Sequence, residues 1–189
     1  MNHPLHLKVG TLIANLVSAR HRGYKVIMDP ACGNLRGIQS QHISLFSGTS
    51  KSRETRLCKV DLIIINKDNK VKLICEIEES NVKPIQVCGK FFASALSNFY
   101  APGYKGAVNS TKVYLDEETF FLQIVSTEGL KPESSKPKQW KNIESQIKNS
   151  LPLRGSQITE YCLIYGEVGD FDNTIREKLE NFLKKALYP

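Results

Sequence analysis

Between residues 9 and 20 the apolar side chains Val9, Leu12, Ile13, Leu16 and Val17 recur at spacings of three and four, and Gly23 follows where a helix cap belongs. This predicts a first helix. Short apolar runs at 24–28 and 42–46 read as strand candidates, either of which could be the first strand, separated by Gly, Asn and Pro. A β-branched and leucine run at 60–65, broken only by Asp61, and a second run at 71–78 flank a polar turn at 66–70, which predicts a hairpin. Pro84 then opens a second helix whose apolar face is expected to be Cys88, Phe91, Phe92, Ala95, Leu96 and Phe99. Further on, 120–125 reads as a buried strand, 138–150 as an amphipathic helix using Trp140, Ile143 and Ile147, and 160–165 as another strand. A last helix carries Ile175, Leu179, Phe182, Leu183, Ala186 and Leu187. The order predicts an α/β fold around a mixed sheet flanked by helices, with a C-terminal α-β-α extension at about 127–189, all in one domain over 1–189.

Composition narrows the classes. The chain of 189 residues is 41% hydrophobic and 24% charged, enough to fold without disulfides or a structural metal and too apolar for a disordered chain. No leader-like segment opens it and no run near 18 apolar residues occurs, so neither export nor a membrane span is expected. Cys32, Cys58, Cys75, Cys88 and Cys162 are odd in number, scattered and never spaced C-x-x-C, which argues against a disulfide framework or zinc cluster and for a reducing, cytoplasmic setting. Cys75 and Cys88 read as small core residues. No phosphate-binding glycine loop, dinucleotide fingerprint or nucleophile elbow is present, so no nucleotide cofactor is expected. The formal charge of +7 points to an anionic partner, and 47–59 reads as an exposed basic loop holding Lys51, Arg53, Arg56 and Lys59.

Candidate chemistry concentrates in the hairpin. Side chains alternate along a strand, so Glu76 and Glu78 share one face, roughly 6–7 Å apart, while Leu73, Cys75 and Ile77 share the other. Asp61 on the neighbouring strand can join them. Carboxylates brought within about 4 Å repel by about 4 kcal/mol per pair at an effective dielectric near 20, and a hard divalent cation relieves this. Mg²⁺ needs only one or two protein carboxylates, which Asp61 and Glu76 supply, with the Ile77 carbonyl as a third candidate ligand. The plainer reading is that these acids are solvated positions at the polar end of a strand.

The stretch Val60-Asp61, the later Glu76-Ile77-Glu78, and the following helix with Gln86 and Lys90 resemble the PD-(D/E)XK nuclease superfamily, the restriction-endonuclease-like fold, over about residues 5–126. The resemblance implies an αβββαβ core, in which the acidic pair sits on the second and third strands, and an endonuclease that hydrolyses DNA with Mg²⁺, for which Mn²⁺ can substitute. It implies metal ligation by Asp61 and Glu76, with Glu78 as general base or further ligand. Val60 replaces the proline of the pattern, Glu78 replaces its lysine in an E-x-E version, and the first helix at 9–20 lacks the acidic residue many members contribute. Lys83, the following helix turn, Gln86 and Lys90, together with the basic loop, are the expected nucleic-acid contacts. Many members pair, so a homodimer is an expectation of the resemblance, with the segment after Ser126 as the place for pairing or specificity.

Two other readings stay open: a catalytically inactive nucleic-acid-binding or interaction protein on the same fold, in which alanine at Asp61 or Glu76 stabilises the chain, and a different α/β enzyme acting on another phosphate ester. Gly89 inside the second helix costs about 1 kcal/mol relative to Ala, so either close packing or a close substrate approach is expected there. Tyr100, Tyr104 and Lys105 form an aromatic and basic loop. His3 and His6 read as a frayed surface terminus, and His21 and His42 as isolated.

Overall fold

The computed structural model describes residues 3–20, 23–79, 82–102 and 111–188, excluding the Arg20 side chain. His21, Ser80, Asn81, Tyr104 and Lys105 lie outside the described residues. The elements are α1 (Pro4–Arg20), β1 (Lys25–Met28), β2 (Gln39–Ser40), β3 (Ile43–Phe46), β4 (Arg56–Val60), β5 (Leu62–Ile65), β6 (Val71–Glu78), α2 (Pro84–Ala95), β7 (Phe99–Tyr100), β8 (Val113–Ser126), α3 (Lys136–Ser150), β9 (Ile158–Gly166) and α4 (Glu177–Leu187). A short 3₁₀ turn at Pro30–Cys32 follows β1, and one π turn at Asp172–Arg176 leads into α4.

The strands form one curled mixed sheet, in the order β2-β1-β5-β6-β8-β7-β3-β4, with β9 also paired to β8. Strands β1, β5 and β6 run antiparallel in turn, whereas β6, β8 and β9 run parallel. Strand β8 is long enough to serve two neighbourhoods. Its first residues pair with β7, and its second half lies between β6 and β9. Of the two candidates for a first strand, β1 is the one beside β5, and β3 belongs to the far limb of the sheet.

Alternation along the central strands divides the core. Leu62, Ile64, Leu73, Cys75, Ile77, Leu122 and Ile124 face α1 and α4, in a layer with Leu5, Val9, Ile13, Leu179 and Leu183. Ile63, Ile74, Phe121, Val125 and Leu163 face α2 and α3, in a layer with Val87, Phe91, Trp140 and Ile147. The C-terminal segment is therefore continuous with the rest: β9 extends the sheet and α4 shares a core with α1. Gly10 lets α1 approach closely, since a Cβ there would lie 2.8 Å from both the Cβ and the carbonyl oxygen of Cys32. Among the described residues, no helix is long and apolar enough to cross a membrane.

Several local expectations need correction. Helix α1 begins at Pro4, because Leu5 continues the apolar stripe upstream of Val9 and is fully buried. Residues 56–59, expected in a basic loop, belong to strand β4 (Arg56–Val60), with Arg56 and Lys59 in it. Helix α2 buries Val87, Phe91, Ser94 and Ala95, while Phe92 and Leu96 are exposed and Cys88 is half-buried. The helix carries apolar residues around much of its circumference, so contact with α3 and the sheet, not periodicity, selects the buried face. Phe99 and Tyr100 belong to β7, where Tyr100 is buried and its hydroxyl meets the Gln41 amide instead of lining an open loop.

Candidate active site

Asp61 lies between β4 and β5, at the point where the chain passes from one limb of the sheet to the other. Its N–H donates to the Cys75 carbonyl at 3.2 Å, and its Oδ2 accepts from the Ile77 N–H at 2.7 Å. The side chain thereby continues the ladder one step past the backbone of β5, which fixes the carboxylate beside the end of β6. Burial pushes the Asp61 pKa up, but His6 and the Ile77 N–H more than offset this and hold the carboxyl below its usual range. Asp61 is therefore a carboxylate with partners.

Glu76 sits on the α2 side of β6 and is fully buried. Its Oε2 accepts from Lys90 Nζ at 2.9 Å, and its Oε1 is buried with no hydrogen-bond partner. Burial pushes its pKa well above the usual carboxylate value, and Asp61 and Glu78 push the same way while Lys90 opposes them. Glu78, on the same face and one-fifth exposed, lies 3.5 Å from the same ammonium. Burial lowers the Lys90 pKa, yet the attraction of Glu76, Glu78 and Asp61 outweighs it and carries Lys90 above the usual lysine range. An ammonium from α2 is thus wedged between the two glutamates. Beside Glu76 on β8, the buried Gln123 accepts from the Tyr161 hydroxyl at 3.0 Å, and its Nε2 has no partner.

The other side of the site comes from α1. Glu79 Oε1 accepts from the backbone N–H groups of Leu5 at 2.5 Å and His6 at 3.1 Å, capping the helix. His3 Nδ1 lies 3.2 Å from Glu79 Oε2, and His6 Nε2 lies 3.7 Å from Asp61 Oδ1. Burial lowers the His6 pKa and the two carboxylates more than restore it, for a net rise; burial raises the Glu79 pKa, and His6 with the helix N–H groups brings it below its usual value. The expectation of a frayed terminus fails because this carboxylate anchors the first turn. The signals were present in Leu5, which extends the helical stripe, and in Glu79, directly after the Glu76-Ile77-Glu78 run.

A cavity of about 550 Å³ opens between these groups, lined by His3, His6, Asp61, Glu78, Glu79 and Lys90, with Ile77 at its wall and Glu128 and Val168 contributed from beyond β8 and β9. It lies at the carboxyl ends of the parallel strands, where open α/β sheets characteristically bind ligands. Asp61, Glu76 and Glu78 are hard oxygen donors of the kind Mg²⁺ takes, with a buried Oε1 of Glu76 left without a partner, but among the described residues only His3, His6 and Glu79 bring three ligand atoms within 4.8 Å of one another.

The remaining expected contacts divide. Lys90 is paired within the carboxylate cluster and also lines its cavity. Gln86 turns back to accept from the Lys83 N–H at 2.7 Å, so its carbonyl caps α2. Lys83 is exposed at the start of that helix. Gly48 bonds Asn98, whose carbonyl receives the Leu115 N–H, and Leu115 pairs with Val71. The β3–β4 turn with Lys51 and Arg53 therefore lies at the opposite end of β6 from Glu76, about 17 Å along the strand. Lys59, exposed on β4 and two residues from Asp61, is the member of that set nearest the site in the chain. His42 is paired, with Nδ1 2.7 Å from Asp29 Oδ2. Among the described residues outside its own helix backbone and chain neighbours, a Cβ at Gly89 would meet nothing within 4 Å. No family model, curated protein or solved structure matches the chain.

Proposed function

We propose that this protein is a divalent-metal-dependent endonuclease that hydrolyses phosphodiester bonds of DNA, built on a restriction-endonuclease-like core. The observation that carries this reading is the placement of Asp61, just before β5, and of Glu76 and Glu78, on the adjacent antiparallel β6, around the Lys90 ammonium, with Asp61, Glu78 and Lys90 lining one cavity and Glu76 buried behind it. With β2–β4 inserted between β1 and β5, and β7 between α2 and β8, the elements α1, β1, β5, β6, α2 and β8 follow the αβββαβ order that the resemblance implies, which supports the same reading.

In this mechanism Asp61 and Glu76 would hold Mg²⁺, which would supply shielding of the phosphate charge and stabilisation of the leaving oxygen. Asp61 meets its task ionised and oriented by the Ile77 N–H. Glu78, more open than Glu76, accepts a proton from the attacking water. Lys90 keeps the paired glutamates compensated and offers its ammonium to a phosphate oxygen, while exposed Lys83 and Lys59 meet the flanking backbone.

The test is cleavage of supercoiled and linear plasmid in Mg²⁺ or Mn²⁺ against EDTA. Metal-dependent cutting is expected in the wild type and its loss in Asp61→Ala, Glu76→Ala and Glu78→Ala; cutting that survives the Glu78 change removes that residue from the mechanism. One observation favours the inactive, nucleic-acid-binding reading: Glu76 is fully buried and closed off by Lys90. Salt-sensitive duplex binding without cutting in either metal would support it.

A further inference from the structure

At the first turn of α1, ring nitrogens of His3 and His6 and a carboxylate oxygen of Glu79 all lie within 4.8 Å of one another. His3 and His6 are three residues apart on the helix, so their rings share one side, with centroids 5.2 Å apart. Each presents Nδ1 toward Glu79, at 3.2 and 3.3 Å. His6 is only 8% exposed, and its Nδ1 is buried without a hydrogen-bond partner, the contact to Glu79 being out of line for one. A buried ring nitrogen left unsatisfied beside a carboxylate calls for a partner that the protein does not supply.

We propose that His3, His6 and Glu79 form a binding site for a borderline divalent transition cation of the zinc class, separate from the oxygen site of Asp61 and Glu76. Two imidazoles and one carboxylate are the donor set such ions prefer, whereas Mg²⁺ takes oxygen ligands. The other ring nitrogen of His6 lies 3.7 Å from Asp61 Oδ1, so a carboxylate stands behind the imidazole as one does behind many metal-bound histidines. The three residues line the 550 Å³ cavity, which leaves a further coordination position for water or a substrate atom. The inference stands on these residues alone and does not depend on the nuclease reading.

The experiment is calorimetric titration of the purified chain with Zn²⁺, paralleled by Co²⁺ and its visible absorption as a report of imidazole ligation, in the presence of excess Mg²⁺. One equivalent is expected to bind in the wild type and in Glu76→Gln, which disables the oxygen site. Affinity is expected to fall more than about tenfold in both His3→Ala and Glu79→Gln. His3 is more than one-third exposed at its side chain, so its truncation leaves the core intact, and the amide oxygen introduced by Glu79→Gln can still accept from the α1 backbone; circular dichroism checks the fold of each variant. The proposal is overturned if Zn²⁺ fails to bind, if it binds equally to His3→Ala and Glu79→Gln, or if binding is lost in Glu76→Gln while surviving in those two.

Discussion

Lys90 and Glu76 show why a single contact decides what a buried acid can do. Glu76 is fully buried, and Lys90 is its charged partner. Removing one partner of such a pair leaves a charge stranded in the interior, so Lys90→Met is expected to cost about 3 kcal/mol at pH 7 in urea unfolding. Because burial raises the Glu76 pKa, this loss should shrink as pH falls and the carboxyl takes up a proton; a cost independent of pH would count against the pair. For Asp61 the expectation of relieved repulsion is reversed by geometry. It satisfies the Ile77 N–H and faces His6, so Asp61→Ala is expected to destabilise by about 1–2 kcal/mol. The junction also titrates. His6 has a raised pKa, so the stability it adds is complete below its unfolded value near 6.5 and fades as pH rises through the folded value. Asp61 and Glu79 have lowered values, so theirs is complete above their unfolded values of 3.8 and 4.5 and fades as pH falls. The junction is strongest between these limits. Unfolding midpoints measured from pH 5 to 8 should show the gap between wild type and His6→Gln closing on the alkaline side.

At the scale of elements, two helical glycines carry opposite expectations. Gly10 is needed where α1 closes on the turn at Cys32, whereas Gly89 faces open space on α2. Gly10→Ala should therefore lower the thermal midpoint, and Gly89→Ala should raise stability by about 1 kcal/mol through helix propensity. If Gly89→Ala folds more stably yet cuts DNA more slowly, the space above Gly89 is used by substrate; unchanged cutting would leave the glycine without a role there. Helix α1 is held by its Glu79 cap and its apolar stripe together, which is why the apolar spacing from Val9 onward places its start too late.

For the molecule as a whole, the sheet couples the N- and C-terminal halves. Leu179 of α4 is fully buried in the layer shared with α1, so Leu179→Ala is expected to cost about 2–5 kcal/mol. Trp140, the single tryptophan, reports from the opposite layer. Its fluorescence transition and the circular dichroism transition should shift together, and divergence would mean that the layers unfold separately. Charge acts at the same scale. DNA affinity should fall steeply with salt, and Lys83→Ala and Lys59→Ala should weaken it more than Lys51→Ala, since Lys51 lies at the far end of β6 from the site. Equal losses at all three positions would remove the case for a footprint centred on the cavity.

The central hairpin, the second helix and the later strands were legible from the chain alone, because strand alternation and helical spacing act over a few residues, and the same alternation puts Glu76 and Glu78 on one face of β6. Tertiary structure decided what those residues meet. The burial of Glu76, the capture of Lys90 by two glutamates and the turn of Gln86 into its own helix cap depend on how α2 lies across the sheet. Drawing His3 and His6 to Glu79 depends on contacts between groups more than 70 residues apart in sequence. Local periodicity sets which face a residue occupies; which charge it finds there is set by long-range packing, where desolvation and ion pairing compete.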